Sequence, residues 1–589
     1  MPKFPFWSLL LILASTLFAM AHKPTPSEQK IDDWEYNATV TNGGKSGRAL
    51  SMAAPMLAPA SKMVMSESIG LTVGGARDVN NFYENIKQGY LPKIGSITYE
   101  GVFAEHYFLP GEKSPCEALF CPILSTAVTK NLFSEKAEYY LNVGLDSGIK
   151  ASDFTRKKLN IVIVLDISGS MSAPFDAYYY DNGKKIPLSE EERKKSKMEI
   201  ANRSIVAMMA HLKPEDRLGI ALFDNNAYIA KPLRPVALTD MEAIKKHILS
   251  LRPRGGTNWS AGYRKGLSLF EKLSDALKDP SEYENRIIFL TDAMPNTGEL
   301  SEEGLFGMVK SASQKGIYTS FVGIGVDFNN DLVKAVSKTK GANYFSVHSA
   351  KAFKERMEKE FDYWVTPLVF DLKLELIKGD FDIEAVYGAP EADRESGTLL
   401  HLGTLFPSET KEERIKGGLI LAKLQKRGDG DEVTLRLSYT DRDGRSHSVI
   451  KKANFKPCCY YDNSGIRKGI WLARYVTLMQ NWLIDMRRGC NDIVKPLPPL
   501  RPLKKRAFLY PPERPEFSYM PTWERRSCPL IVSRGYRDLF TLFAKKFAKE
   551  MRTLKDESLK KELDTLNDLS RYKKGSHKGK RDDWREPAR

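Results

Sequence analysis

The sequence lacks the common signatures of a hydrolase. Its histidines never form the His-Glu-x-x-His spacing of a zinc protease. No Gly-x-Ser-x-Gly element is present, because Ser168-Gly169-Ser170 has no glycine at the outer positions. Ser170 as a nucleophile would need a histidine base beside it, and the sequence places none there. The eight histidines are His22, His106, His211, His247, His348, His401, His447 and His577. We therefore predict a protein that is not an enzyme and has no catalytic residue.

Long apolar runs are also missing, apart from one at the N-terminus. Lys3 precedes an apolar stretch over residues 6–21, which is short for a membrane span of roughly 18 or more residues. Ala19-Met20-Ala21 fits a small-x-small cleavage site, so residues 1–21 are predicted to be a signal peptide and His22 to begin the mature chain. An uncleaved anchor is the alternative. We expect a secreted or periplasmic protein without a transmembrane segment after cleavage, in a bacterial or a eukaryotic host.

Cysteine is scarce, but its use fits an oxidising compartment. Cys116 and Cys121 are close enough in sequence to close a small loop and are the best disulfide candidates. No second cysteine pair lies near them, so the spacing does not match a zinc site. The connectivity of the other cysteines stays open: Cys458, Cys459, Cys490 and Cys528.

Acidic residues are too few to balance the basic ones, and the net charge is +16. Much of this excess lies in residues 501–506 and 573–581. Without interleaved aromatic residues, such a basic tail is better explained as solvated chain than as a nucleic-acid site. No nucleic-acid partner is expected.

One apolar stretch organises the chain. Residues 159–165 are rich in isoleucine and valine, which is typical of a strand buried on both faces of a parallel sheet. Asp166, Ser168 and Ser170 follow at its carboxyl end, where ligands bind in open α/β sheets. Short oxygen side chains that converge there suit a hard cation such as Mg²⁺.

Two later stretches supply further oxygen ligands. Thr257 lies in the loop Gly255-Gly256-Thr257-Asn258, and Asp292 follows a second predicted buried strand over residues 286–291. In this order, Asp166, Ser168, Ser170, Thr257 and Asp292 resemble the complete metal-ion-dependent adhesion site of von Willebrand factor A domains. An ordinary nucleotide-binding sheet is the alternative, but no glycine-rich phosphate loop follows the first strand.

The resemblance implies one divalent cation, Mg²⁺ first, with Mn²⁺ and Ca²⁺ as alternatives. Ser168, Ser170 and Thr257 would contact the cation directly or through water, and Asp166 and Asp292 would supply charge and hold waters. An open coordination position would accept an acidic side chain of a protein partner. Few charged ligands leave the ion electropositive, which agrees with that role.

Strand and helix patterns alternate across residues 157–366, which predicts a doubly wound, Rossmann-like A domain. We expect the chain to be α/β, with this domain inserted in or flanked by a β-sandwich-like unit and followed by C-terminal helices. In the insertion arrangement, strands at residues 97–108 and 137–145 would pair with strands at 369–376 and 433–439. Short connectors and neighbouring domain termini favour it.

The remaining segments are assigned from composition and periodicity. Tyrosines in the insertion at residues 173–195 could form a lid beside the metal or a solvent loop, and both alternatives stay open. Pieces at 79–86, 89–92 and 97–103 resemble the leader of bacterial secreted or envelope A-domain proteins of the calcium-activated chloride channel-like type. The predicted segments are 22–69, low-complexity linker; 70–156, N-terminal β-containing segment; 367–456, β-sandwich-like domain; 457–492, amphipathic helix; 493–530, proline-rich linker; 531–572, helical region; and 573–589, basic disordered tail.

Together these features predict an extracytoplasmic, metal-dependent adhesion protein that binds a protein partner. The alternative is a secreted hydrolase, or an accessory subunit of an envelope complex that uses the A domain for docking. A channel subunit is a third class, against which the lack of apolar spans argues.

Overall fold

The structure is a computed structural model that describes residues 30–38, 69–76, 79–112, 116–132, 134–173, 195–292, 304–324, 339–347, 360–388, 399–488 and 528–573. The predicted signal peptide lies outside the described residues. So do most of the low-complexity linker, of the 173–195 insertion, of the proline-rich linker and of the basic tail. Within the predicted A domain, residues 174–194, 293–303, 325–338 and 348–359 are outside the described residues.

The secondary structure of the described residues alternates between sheets and helices as follows. The strands are β1 Gly70–Val73, β2 Gly75–Ala76, β3 Tyr90–Leu91, β4 Tyr107–Phe108, β5 Cys121–Lys130, β6 Ala137–Asp146, β7 Lys158–Asp166, β8 Arg217–Phe223, β9 Ala227–Pro235, β10 Tyr283–Thr291, β11 Ile317–Ile324, β12 Asn343–Val347, β13 Val369–Lys378, β14 Phe381–Tyr387, β15 Leu399–Ser408, β16 Thr410–Lys411, β17 Arg414–Lys416, β18 Leu419–Lys426, β19 Glu432–Asp441, β20 Ser446–Asn454, β21 Tyr460–Tyr461 and β22 Cys528–Pro529. The helices are α1 Asn80–Gln88, α2 Tyr99–Ala104, α3 Lys197–Met209, α4 Met241–Ser250, α5 Trp259–Glu271, α6 Leu305–Gln314, α7 Phe361–Val365, α8 Ser464–Arg487, α9 Arg534–Leu554 and α10 Lys560–Arg571.

An α/β domain is built on a seven-stranded sheet with the order β2-β12-β11-β10-β7-β8-β9. Its strands run parallel except β9, which pairs antiparallel with β8. Alternate residues of β7 point to opposite faces: Ile161 and Ile163 pack with α3, α4 and α7, while Val162 and Val164 pack with α5 and α6. The sheet is therefore covered on both faces, as a doubly wound sheet requires.

A ten-stranded sheet is formed by strands from before and after this domain. β6 pairs antiparallel with β18, with Val143 opposite Ile420, and β1 pairs with β15. Phe381 of β14 contacts Phe455, which follows β20, at a ring distance of 4.8 Å, so the two ends of the sheet curl toward each other. The α/β domain is thus inserted into this sheet.

The predicted strand at residues 97–108 is wrong. Residues 99–104 form α2, because the Thr98 hydroxyl accepts a hydrogen bond from Gly101 N at 3.0 Å and caps the helix. Within this range only Tyr107–Phe108 forms a strand, which pairs with β17. A β-sandwich-like domain over 367–456 is not separate either, since its strands share their sheet with β1, β5 and β6.

A helical layer covers part of the ten-stranded sheet. The helices α1, α2, α8, α9 and α10 contribute to one apolar cluster with Tyr140 of β6 and Leu419 of β18. The helical region predicted at 531–572 contains two helices, α9 and α10, because Lys555 adopts the left-handed conformation at φ 50° and ends α9. Among the described residues, no helix has both the length and the apolar character needed to cross a membrane.

Cys116 and Cys121 form a disulfide with their Cα atoms 6.1 Å apart. A second disulfide joins the neighbours Cys458 and Cys459, and Cys528 is also disulfide-bonded. The pairing of Cys458 with its neighbour could not be deduced from spacing alone.

We expect the double substitution Cys116→Ser and Cys121→Ser to lower the free energy of unfolding by about 2 kcal/mol, because the bond closes a short loop in the unfolded chain. Urea denaturation of the variant and the native chain measures the difference. If the double variant and the native chain have equal free energies of unfolding in non-reducing buffer, the bond does not stabilise the fold.

Candidate metal-ion site

Asp166 ends β7 and is fixed by hydrogen bonds to both carboxylate oxygens. Its Oδ1 accepts Ser168 N at 2.7 Å, and its Oδ2 accepts the Thr291 hydroxyl at 2.6 Å. The first bond turns the chain sharply after the strand, as aspartate commonly does two residues before a backbone N–H. Asp166 is fully buried. Its carboxylate therefore has one fixed orientation at the carboxyl end of β7.

Ser168, Ser170 and Asp292 form a continuous chain of side-chain contacts. The two serine hydroxyls are 3.0 Å apart, and Ser170 donates to Asp292 Oδ1 at 2.8 Å. Asp292 reaches them because β10 lies beside β7 in parallel register, with Leu290 opposite Leu165. Residues that are more than a hundred positions apart in sequence thus meet at one edge of the sheet.

The loop of Thr257 is attached to the same edge through the backbone. Gly169 N donates to Gly255 O at 2.9 Å, and Arg254 N donates to Ile167 O. Gly255 has φ +68°, a conformation that glycine tolerates best. Within the described residues, Thr257 makes no side-chain hydrogen bond to the other four predicted site residues. The position of Thr257 is therefore set by the backbone hydrogen bonds of the loop that carries it.

Residues 161–295 match the family model of the von Willebrand factor type A domain, and this span includes all five predicted site residues. The chain contains a von Willebrand factor type A domain.

Curated proteins similar to the chain include two heavy chains of inter-alpha-trypsin inhibitor. Heavy chain H1 of Mesocricetus auratus is 20% identical over 224 residues, covering 38% of this chain and 22% of the relative. Heavy chain H2 of Mus musculus is 24% identical over 212 residues, covering 36% and 20%. The chain therefore spans about a fifth of the length of these relatives. Among solved structures, a von Willebrand factor type A protein from Catenulispora acidiphila is 13% identical with a TM-score of 0.39, covering 65% of this chain and 84% of that one.

The A domain places two carboxylates close together in a buried site. Burial, and then the negative charge of Asp292, raises the pKa of Asp166 far above that of an exposed aspartate. Hydrogen bonds from Thr291 and Ser168 oppose this shift. An added cation beside these groups would therefore be stabilised by both carboxylates.

Lys197, which the sequence analysis did not single out, is the charged partner of Asp292. Its Nζ lies 3.0 Å from Asp292 Oδ2, and the two side chains are 1% and 0% exposed. Thr291, which directly precedes Asp292, is a second residue that the sequence analysis did not assign to the site; its hydroxyl donates to Asp166. Lys197 follows a run of basic residues that is typical of solvent-exposed sequence, so no pattern distinguished it.

A third group of missed residues positions the Thr257 loop. Asp224 follows β8 and accepts Arg254 Nε at 2.9 Å. The guanidinium of Arg254 lies over the rings of Tyr36 and Tyr228, at 5.3 and 5.2 Å. Tyr36 belongs to residues 30–38, which run along β9, where Glu35 N donates to Ala230 O at 2.8 Å. The extreme N-terminal part of the described chain thus braces the loop that carries Thr257.

The donor set fits a hard divalent cation. Hydroxyl and carboxylate oxygens are the ligands that Mg²⁺, Mn²⁺ and Ca²⁺ prefer. Histidine and cysteine are absent from this set, and no group of three or more His, Cys, Asp or Glu residues that could hold a metal occurs anywhere in the described part of the chain. The structure brings together oxygen-bearing side chains of Asp166, Ser168, Ser170 and Asp292, which with Thr257 of the adjoining loop would hold a cation here.

Proposed function

We propose that this protein is an extracytoplasmic adhesion protein that binds a protein partner through one divalent cation held by its A domain. Asp166, Ser168, Ser170, Thr257 and Asp292 would hold the cation, with Mg²⁺ as the first choice. When bound, the cation supplies a positive centre that can accept a carboxylate of the partner. The protein is not an enzyme under this proposal.

The observation that carries the proposal is the linked set of Ser168, Ser170 and Asp292 beside the fixed Asp166. Both serines lie in the loop that follows the carboxyl end of β7, next to Asp292 at the end of β10. Binding would reorganise little of the surrounding chain, because β7 and β10 are fully paired strands. Preorganised ligands lower the cost of binding.

A binding role also agrees with the names of the similar curated proteins, which are heavy chains of an inhibitor. The rival hydrolase proposal has no observation in its favour at this site, since no histidine contacts Ser168 or Ser170 among the described residues. The finer proposal, a secreted or envelope A-domain protein of the calcium-activated chloride channel-like type, rests on the leader-like segments and the N-terminal signal pattern. Disulfides such as Cys116–Cys121 agree with an oxidising compartment.

Calorimetric titration of the mature chain with MgCl₂ tests the proposal. We expect a single binding event that is absent in the presence of excess chelator. A companion measurement immobilises the chain and compares the proteins retained in Mg²⁺ with those retained in EDTA. A chain that binds neither Mg²⁺, Mn²⁺ nor Ca²⁺ would refute the metal site, and a partner retained equally in both buffers would refute metal-dependent adhesion.

Gly255→Ala should weaken Mg²⁺ binding and lower the free energy of unfolding by about 1–3 kcal/mol, because alanine is strained in the left-handed conformation. Its Cβ would also lie 3.2 Å from the Asp224 Cβ, which shifts the loop of Thr257. Calorimetry and urea denaturation measure the two effects.

Gly444→Ala is the matched control. Gly444 has φ +83° with nothing within 4 Å of an added Cβ, and it lies in the β19–β20 turn, in the other sheet. We expect this variant to lose stability but keep its Mg²⁺ affinity. Equal Mg²⁺ affinity in both variants would show that the Gly255 loop does not contribute to the site.

A further inference from the structure

Lys197 is the first residue of α3, and the helix start is firmly anchored. Ser196 caps the helix in a reciprocal pair with Glu199, and Lys197 N donates to Ala173 O at 2.9 Å. Ala173 ends the described loop that carries Ser168 and Ser170. The side chain of Lys197 is therefore directed inward from a fixed backbone, and it is 1% exposed.

Asp292 is shared between two donors. Its Oδ1 accepts Ser170, and its Oδ2 accepts the Lys197 ammonium at 3.0 Å. A fully buried lysine is rare unless it is paired, so this contact is the reason that the ammonium can stay in the site. The ammonium, like a divalent cation, is attracted to the pair of carboxylates, Asp166 and Asp292.

We infer that Lys197 is the resident counter-ion of the site and competes with the divalent cation for Asp292. This inference rests on the proposed function of the same site. With both carboxylates ionised, Lys197 reduces the net charge of the trio from −2 to −1, which weakens the attraction for a second cation. Repulsion between the ammonium and the divalent cation acts in the same direction, and it is strong in a water-poor site.

The consequence is a site that stays folded without metal and takes up the cation only at higher concentration. It would also remain electropositive after loading, because the ammonium persists beside the cation. That charge favours an anionic group on the partner. If Lys197 only positioned Asp292, its removal would disorder Asp292 and weaken metal binding, which is the opposite of the effect expected for a competing counter-ion.

The test compares the mature chain with Lys197→Met, which keeps the apolar stem and removes the charge. Calorimetry with MgCl₂ gives the affinity, and thermal melting with and without MgCl₂ gives a readout that needs no partner. We expect Lys197→Met to bind Mg²⁺ about tenfold more tightly or better. We also expect the variant to melt earlier in EDTA and to gain more from Mg²⁺ than the native chain. Lys197→Arg keeps the charge and should not gain affinity.

Each result separates the two proposals. Native binding with equal or weaker binding by Lys197→Met overturns the counter-ion role and leaves the metal site intact. No Mg²⁺ binding by either chain overturns the proposed metal site. If Lys197→Met does not fold in EDTA or in MgCl₂, Lys197→Gln retains an amide donor for Asp292 without the charge. The same titration on Lys197→Gln then decides, with tighter binding in favour and unchanged or weaker binding against.

Discussion

Arg156→Met should lower the free energy of unfolding by about 3–5 kcal/mol, the cost of leaving a buried charge without its partner. The guanidinium donates to both oxygens of Asp216, at 2.9 and 2.6 Å, and its Nε donates to Asp362 at 2.9 Å. Asp216 is fully buried, so methionine would leave its carboxylate without a cationic partner and with only the N–H groups of Leu159 and Lys213 as donors. Arg156 lies in the connector that precedes the A domain, and Asp362 lies near the end of that domain. The Arg156 side chain therefore joins the two ends of the domain. Urea denaturation measures the loss.

Lys158→Met is the matched control, two residues further along the chain. Lys158 pairs with Glu282 at 3.2 Å, but the side chains are 44% and 59% exposed. Exposed pairs contribute little because solvent screens them, so we expect a change of about 0–1 kcal/mol. Similar losses in the two variants would show that the Arg156 network does not tie the connectors to the domain.

The parts of the fold that the sequence could predict are those with a local signal. Buried parallel strands such as β7 and β10 contain apolar runs, residues 161–165 and 287–290, and their carboxyl ends can be aligned without knowledge of side-chain positions. That logic brought Asp166 and Asp292 to one edge. It missed β9, because this strand lies at the sheet edge and only some of its residues are buried. Residues 30–38 pack along β9, and this contact joins distant parts of the chain, so local sequence patterns do not indicate it.

The errors come from interactions that periodicity does not record. Residues 97–108 contain β-favouring side chains, yet the cap at Thr98 and the burial of Val102 and Phe103 stabilise a helix. The short connectors correctly predicted pairing across the inserted domain, but the predicted partners were wrong: β6 pairs with β18, whereas β13 pairs with β15 and β19. Lys197 is the clearest limit: only the three-dimensional placement of Asp292 distinguishes it from the basic residues before it.

Asp166→Ala should abolish Mg²⁺ binding, with a loss of at least about 100-fold, because loss of a residue that only orients a metal ligand already costs up to that much. The substitution removes one of two carboxylates and, with it, the acceptor of the hydrogen bonds that Ser168 N and the Thr291 hydroxyl donate. The lost hydrogen bonds destabilise the chain, whereas relief of repulsion with Asp292 stabilises it. We therefore expect the variant to fold, with a smaller change in unfolding free energy than Arg156→Met. Calorimetry with MgCl₂ measures binding, and circular dichroism checks the fold.

Ser172→Ala is the control for this last prediction, since it changes a neighbouring residue of the same loop. The Ser172 hydroxyl is exposed and donates to Gly169 O at 2.7 Å, and it takes no part in the contacts among Ser168, Ser170 and Asp292. It should bind Mg²⁺ like the native chain. If alanine at position 166 impairs folding, Asp166→Asn removes the charge and keeps one carbonyl oxygen that can accept from Ser168 N, while its amide N–H can donate to Thr291 Oγ1. Native-like Mg²⁺ affinity in folded Asp166→Ala or Asp166→Asn would mean that the cation is held elsewhere, because a carboxylate fixed at the end of β7 cannot be both a ligand and dispensable.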